Sequence, residues 1–132
     1  MKYFALTLFF VVLIAGCQKR ANFNHNIDYS TPFQMTTIDL DTSTGYSTFH
    51  EAELHVDSEK GQKLVDFLQA NTEGWHSNVA SVIGDIIVTQ GDFKLIYSVN
   101  SESVFVAYLD TNGTPLQLAK RIERGQLDFL DD

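Results

Sequence analysis

Apolar positions follow three different rules along this chain. From Phe4 to Ile14 they run together, broken only by Thr7. At Leu64, Val65, Phe67 and Leu68 they recur at the three- and four-residue spacing of a helix, opposite Lys63, Asp66 and Gln69. Elsewhere they tend to alternate singly with polar residues, the period of a strand that buries one face.

The alternating stretches predict a set of short strands. Residues 33–40 (FQMTTIDL) have strand content and end at the turn cluster Asp41-Thr42-Ser43-Thr44-Gly45. A second strand is predicted over 46–56, with Ala52, Leu54 and Val56 facing the core. Asp57-Ser58 then offers an N-cap, with Glu59 favourably placed in the first helical turn. Asn71 and Gly74 are the candidate stops for this helix, the one long helix expected. Three further strands are predicted at 85–89, 92–99 and 103–110, joined through Gln90-Gly91-Asp92 and Asn100-Ser101-Glu102 into an antiparallel meander. In the middle one, Phe93, Leu95, Tyr97 and Val99 share a face. The 103–110 stretch is apolar on both sides, which predicts a central position. After the Asp110-Thr111-Asn112-Gly113 turn, 114–123 reads as a strand or a short irregular piece, and Leu127, Phe129 and Leu130 as a closing helical turn. The expectation is an α+β fold: one antiparallel sheet of five to six strands, in the order ββα and then a meander, with the helix packed on one face.

Composition agrees with one globular domain. The chain has 132 residues, 44% hydrophobic and 20% charged, with ten Phe and five Tyr to fill a core. The formal charge is −8; without residues 1–16, which carry Lys2 and no acid, 8 basic and 17 acidic residues remain. There is no basic stripe to displace counterions from phosphates, so nucleic acid is not an expected partner. An acidic surface favours a basic protein partner by steering its approach, or serves only solubility. The single cysteine, Cys17, excludes an intrachain disulfide and any multi-cysteine metal site.

The position of that cysteine changes the picture most. A basic start at Lys2 and the apolar run Phe4 to Ile14 lead into the small residues Ala15 and Gly16, directly before Cys17. The run is short for a membrane-spanning helix, which needs roughly 20 residues, and suits the apolar core of a secretory signal. Leu13-Ile14-Ala15-Gly16-Cys17 resembles the lipobox of bacterial lipoproteins. The resemblance covers the first twenty residues and implies cleavage between Gly16 and Cys17, a diacylglyceryl group on the Cys17 sulfur and often an acyl chain such as palmitate on the freed amine. Gln18, where an Asp would imply inner-membrane retention, implies the periplasmic face of the outer membrane. The expected organisation is a signal peptide at 1–16, a lipidated cysteine with a polar, Asn-rich flexible tether at 17–31, and a domain at 32–132.

Candidate chemistry in the domain is sparse. His50-Glu51-Ala52-Glu53-Leu54-His55 superficially matches a zinc-protease motif, but that motif needs histidines four apart on a helix. Here they are five apart in a predicted strand and point to opposite faces. Glu51, Glu53 and His55 share a face, which is either a weak metal site or a solvated strand surface, and no metal is expected. No nucleophile elbow, phosphate loop or dinucleotide fingerprint occurs. No cofactor is expected. Trp75 is either an exposed interface anchor or a cover for the helix end. Asp57, Glu59, Asp66 and Glu73 are candidate groups for binding a basic partner, and Asp128, Asp131 and Asp132 make the C-terminus acidic.

These readings favour a membrane-anchored envelope lipoprotein that acts as a non-enzymatic protein-binding or accessory module, with an immunity or inhibitor protein as the sharper form. The alternatives are a small periplasmic enzyme or ligand carrier with its pocket between helix and sheet, and a structural envelope protein.

Overall fold

The structure, a computed structural model, describes residues 18–132. The expected signal segment 1–16 and the expected lipidation site Cys17 lie outside the described residues.

Among the described residues seven strands form one antiparallel sheet, with a single α-helix against it: an α+β fold. In chain order they are β1 (Phe33–Leu40), β2 (Ser47–Leu54), α1 (Glu59–Ala70), β3 (His76–Ser77), β4 (Ile86–Gln90), β5 (Phe93–Ser98), β6 (Ser103–Leu109) and β7 (Pro115–Arg121). In space the sheet runs β2-β1-β4-β5-β6-β7-β3. The strand beyond the expected number is β3. Its two residues carry no period, and it exists because His76 and Ser77 pair with Ala119 and Leu118 of β7. The meander is as expected, and β6, apolar on both sides, is an interior strand.

Register sorts the side chains. Met35, Val88, Leu95, Val106 and Leu118 form one row across β1, β4, β5, β6 and β7 on the inner face. Leu64, Leu68 and Trp75 fill the layer above this face at full burial. Thr36, Ile87, Ile96, Phe105 and Ala119 form the matching row on the outer face. That row is only partly buried, under residues 78–84, which cross it on their way from β3 to β4. Gln117 fastens this strap at one end, its carbonyl accepting from Asn78 N–H (3.0 Å) and its side chain donating to the Ala80 carbonyl (2.8 Å). Asp85 fastens the other, through the Tyr97 carbonyl, Val99 N–H and Ile38 N–H. Gly84 lies so close to the Ile96 side chain and the Tyr97 carbonyl that a Cβ has no room there.

The helix begins where the sequence places it. Ser58 is the N-cap and its side chain accepts from Gly61 N–H (3.0 Å). It ends at Asn71, a buried polar residue held on every side. Asn71 Nδ2 donates to the Phe67 carbonyl (2.9 Å), its Oδ1 accepts from Lys120 Nζ (2.9 Å), and its carbonyl accepts from Trp75 Nε1 (2.8 Å). Lys120 also donates to the Glu73 carbonyl (2.8 Å), a cation at the negative end of the helix dipole. Among the described residues no helix is long and apolar enough to cross a membrane.

The largest departure from expectation is the segment before β1. Residues 18–31 were expected as a flexible tether, but from Lys19 onward they belong to the fold. Lys19 and Trp75 exchange backbone hydrogen bonds (2.6 and 3.2 Å), and Ala21 N–H donates to the Thr72 carbonyl (2.7 Å). Ala21, Phe23 and Ile27 are buried. Phe23 meets Trp75 edge-on (centroids 6.5 Å apart), Tyr108 edge-on (5.9 Å) and Phe93 at a tilt (5.5 Å). The Gln90 side chain closes the segment, accepting from Asp28 N–H (2.6 Å) and donating to the carbonyls of Asp28 (2.9 Å) and Thr31 (3.0 Å). A second expectation also fails. Ala52 is exposed and Val56 is half-buried, so of the three predicted β2 core residues only Leu54 is buried, because β2 is an edge strand that the helix covers at its C-terminal end alone.

Two predictions follow from these contacts. A Cβ at Gly61 would collide with the His55 carbonyl. Gly61→Ala is therefore expected to destabilise the domain by about 1–3 kcal/mol, although helix propensity alone favours Ala by about 1 kcal/mol; denaturant melts measure the sign. The second concerns Tyr97, which is buried and donates to Asp128 Oδ1 (3.0 Å). Burial first, and then the Asp128 carboxylate, push its phenol from 10.0 up to about 12. A neutral Tyr97 contributes fully below pH 10. Above that the unfolded chain loses this proton first, so stability falls as pH rises towards 12. Tyr97→Phe is expected to lose stability at neutral pH and to show a shallower alkaline decline, measured by thermal melts across that window.

Candidate interaction surface

Trp75, the aromatic candidate for partner binding, is fully buried and unavailable to a partner. Its indole nitrogen is spent on the helix end, and Lys120 Nζ lies 5.8 Å from its ring centroid. The acidic candidates are exposed, but the helix does not gather them. Asp57 and Glu73 lie beyond opposite ends of α1, sixteen residues apart in sequence. Glu59 and Asp66 share a helical face with Lys63 between them, and Lys63 pairs with Glu59 at 2.9 Å. That ion pair and hydrogen bond hold the Glu59 carboxyl below its usual range. The expected helix-centred acidic patch is thus broken by its own cation.

The metal-like histidines are separated as strand geometry requires. His50 pairs with Asp39 on the inner face (3.2 Å), while His55, just past the strand end, lies 3.6 Å from Glu53. Among the described residues no group of three or more His, Cys, Asp or Glu is placed to hold a metal ion. The space between helix and sheet, where an enzyme or carrier pocket was the alternative, is filled by buried side chains. Hollows lie elsewhere. One of about 270 Å³ sits beneath the strap on the outer face, lined by Val82, Ile96 and Phe105 with Lys94 as its only charged group. A second, open hollow of about 410 Å³ lies between Tyr29, Pro32, His55 and Gln62.

What stands out instead is the β1–β2 hairpin. β4 pairs with β1 only as far as Thr37, so the hairpin from Asp39 to Thr48 extends beyond the sheet body. Its tip is tightly made. Asp41 N–H donates to the Tyr46 carbonyl (2.9 Å), Gly45 adopts a φ of +74°, and Asp41 Oδ1 accepts from the backbone (2.8 Å) and hydroxyl (2.6 Å) of Ser43. Those bonds lower the Asp41 pKa and keep a negative charge at the tip. Yet the hairpin exposes Leu40 at 61%, Tyr46 at 78% and Phe49 at 63%. Seven of the eight β2 residues are exposed, and among the described residues β2 has no neighbour on its far side. An exposed edge strand with large apolar side chains is an aggregation hazard unless something covers it. Sequence periodicity contains no signal for this, since apolar alternation reads the same whether or not a layer lies above it.

Charge is distributed unevenly across the sheet. From residue 21 to residue 59 the chain has no Lys or Arg and seven acids, of which Asp39, Asp41, Glu51 and Glu53 lie on the hairpin. At the opposite edge, Lys19, Arg20, Lys120, Arg121 and Arg124 gather around β7 and β3, with Glu73, Glu102 and Glu123 among them.

Trp75→Ala is expected to cost about 3–5 kcal/mol of folding stability, while Asp57→Asn and Asp66→Asn each change it by less than about 0.5 kcal/mol; chemical denaturation separates the two classes. In comparisons with protein-family models, curated proteins and solved structures, nothing matches this chain.

Proposed function

We propose that this chain is an envelope lipoprotein, held at the membrane by acylated Cys17, whose domain is a non-enzymatic protein-binding module of immunity or inhibitor type. The observation that carries the binding reading is the uncovered β2 edge with Leu40, Tyr46 and Phe49, in a fold whose helix–sheet interior is filled. The immunity or inhibitor form rests on small size, negative charge and envelope address, a likeness of class alone.

The packing of the N-terminal segment sharpens the anchoring. Cys17 precedes Lys19 by two residues, and Lys19 is already hydrogen-bonded to Trp75. Two residues of extended chain span at most about 7 Å. Lipid on Cys17 therefore holds the β3 edge against the bilayer instead of suspending the domain on a tether. Lys19, Arg20 and Arg121 are exposed at that edge, where cations meet anionic head groups. The hairpin edge lies six strand spacings away, about 29 Å, and faces the periplasm. Two or three acyl chains make such attachment essentially permanent, since each buried methylene contributes about 0.8 kcal/mol.

Fractionation of cells expressing the full chain tests the anchor. The wild type is expected in the membrane fraction with an acylated N-terminal cysteine by mass spectrometry, and Cys17→Ser in the soluble or unprocessed fraction. A Cys17→Ser chain that stays with the membrane like wild type overturns the lipid anchor. Photo-crosslinking in cells from a reactive side chain at position 46 tests binding. One discrete protein adduct is expected, and its repeated absence, from position 46 and from other exposed positions alike, overturns the module.

A further inference from the structure

The backbone of β2 dictates what its open edge accepts. Ile38 N–H is bonded to the Asp85 carbonyl (2.7 Å), so Ile38 directs its backbone groups towards β4. Ile38 and Phe49 are therefore a non-hydrogen-bonded pair of the β1–β2 ladder, and Asp41 with Tyr46 is a bonded one (2.9 Å). The alternation leaves the N–H and C=O of Phe49, Glu51 and Glu53 pointing away from the sheet. Their side chains share one face of the strand, the outer one. An incoming strand thus meets three outward-facing residues in the fixed order Phe49, Glu51, Glu53.

Charge selects the occupant. Glu51 forms no ion pair among the described residues, and the nearest partners of Glu53 are His55 (3.6 Å) and the Gln34 amide (3.4 Å). Opposite charges placed directly across a ladder stabilise it and like charges destabilise it. A second copy of this strand is the poorer occupant, because residues 47–54 contain no Lys or Arg to set opposite Glu51 or Glu53. Antiparallel self-pairing about a twofold axis normal to the sheet, centred on Glu51, sets the two Glu51 side chains opposite each other; centred on Ala52 it sets Glu51 opposite Glu53; centred on His50 it sets Glu51 opposite Phe49, leaving both glutamates without a cation.

We infer that the β2 edge receives an extended cationic strand from a protein partner, running antiparallel and extending the sheet by one. The partner strand reads, from its N-terminus, Lys or Arg opposite Glu53, any residue, Lys or Arg opposite Glu51, any residue, and an aromatic or aliphatic residue opposite Phe49. Main-chain bonds supply the pairing and alternate side chains the selectivity. Leu40, one strand further in on the same outer face as Phe49, adds exposed apolar surface beside that end of the edge. This assignment rests on the protein-binding reading above and names the chemistry of its partner.

The test uses the full lipidated protein in zwitterionic micelles and a synthetic peptide, Thr-Lys-Val-Lys-Val-Phe-Thr, with a Glu-for-Lys analogue as its counterpart. The Lys peptide is expected to shift the amide NMR signals of Phe49, Glu51 and Glu53, protect them from exchange, and bind more weakly as salt rises. Glu51→Lys combined with Glu53→Lys is expected to weaken it by about tenfold and to gain the Glu peptide, with an unchanged melting curve. Binding that maps elsewhere, or ignores the charge exchange, overturns the assignment. So does concentration-dependent dimerisation of the wild type that protects the same amides, since the edge then belongs to a second copy. If the peptide fails while crosslinking at position 46 still yields its adduct, the strand chemistry is wrong and the binding module stands.

Discussion

The contact between Phe23 and Trp75, with the backbone pair Lys19–Trp75 beside it, fixes how the chain joins its own fold. Phe23 fills the space bounded by Trp75, Phe93 and Tyr108, and Trp75 in turn closes the end of the helix through Asn71. The last turn of the helix, the seventh strand and the N-terminal segment are therefore one packed unit. Without it the helix loses its stop, β3 loses the neighbour that holds it in place, and the segment before β1 reverts to the spacer its composition resembles.

That unit makes the two edges of the sheet unlike in every respect that matters for recognition. One is closed by β3 and the N-terminal segment, carries most of the cations of the domain, and lies within two residues of Cys17. The other is open, acidic and studded with Leu40, Tyr46 and Phe49. An antiparallel sheet has no reason of its own to be polar in this way. The asymmetry comes from where the chain spends its lysines and arginines, and under the proposed anchoring it would give the domain a direction relative to the membrane.

Much of the fold was legible because local physics and global packing agree. Phe93, Leu95 and Tyr97 alternate with Lys94 and Ser98 and face the core as the alternation says. Ser58 caps the helix, and the Asp110–Gly113 turn joins β6 to β7. Legibility ends where a residue's fate depends on a distant neighbour. Phe23 and Ile27 are isolated among asparagines, and nothing local indicates that Tyr108 and Gln90 are waiting for them. His76 and Ser77 form a strand because β7 does. Ala52 and Leu54 alternate identically, yet the helix reaches only Leu54. The exposure of Trp75 was undecidable from sequence, and its burial removes it from the candidate site. The open edge was illegible for the same reason: what lies above a strand is not written in the strand.

The way the chain encircles its sheet has a consequence for how the two halves are joined. From β2 the helix crosses the inner face, β3 lines the far edge, and the strap returns over the outer face to β4. The hairpin β1–β2 and the meander β4–β7 each close over short turns, whereas β1 meets β4 only after the intervening chain has gone right round, so that Met35 pairs with Val88. This seam and the two-residue β3–β7 pairing carry the loop-closure entropy that the hairpin-connected pairs escape. The molecule is thus two hairpin-connected units whose longest shared seam is β1–β4, and the open acidic edge rides on the smaller of them. A partner strand laid along β2 would hold the free side of that unit, leaving the seam less reason to come apart.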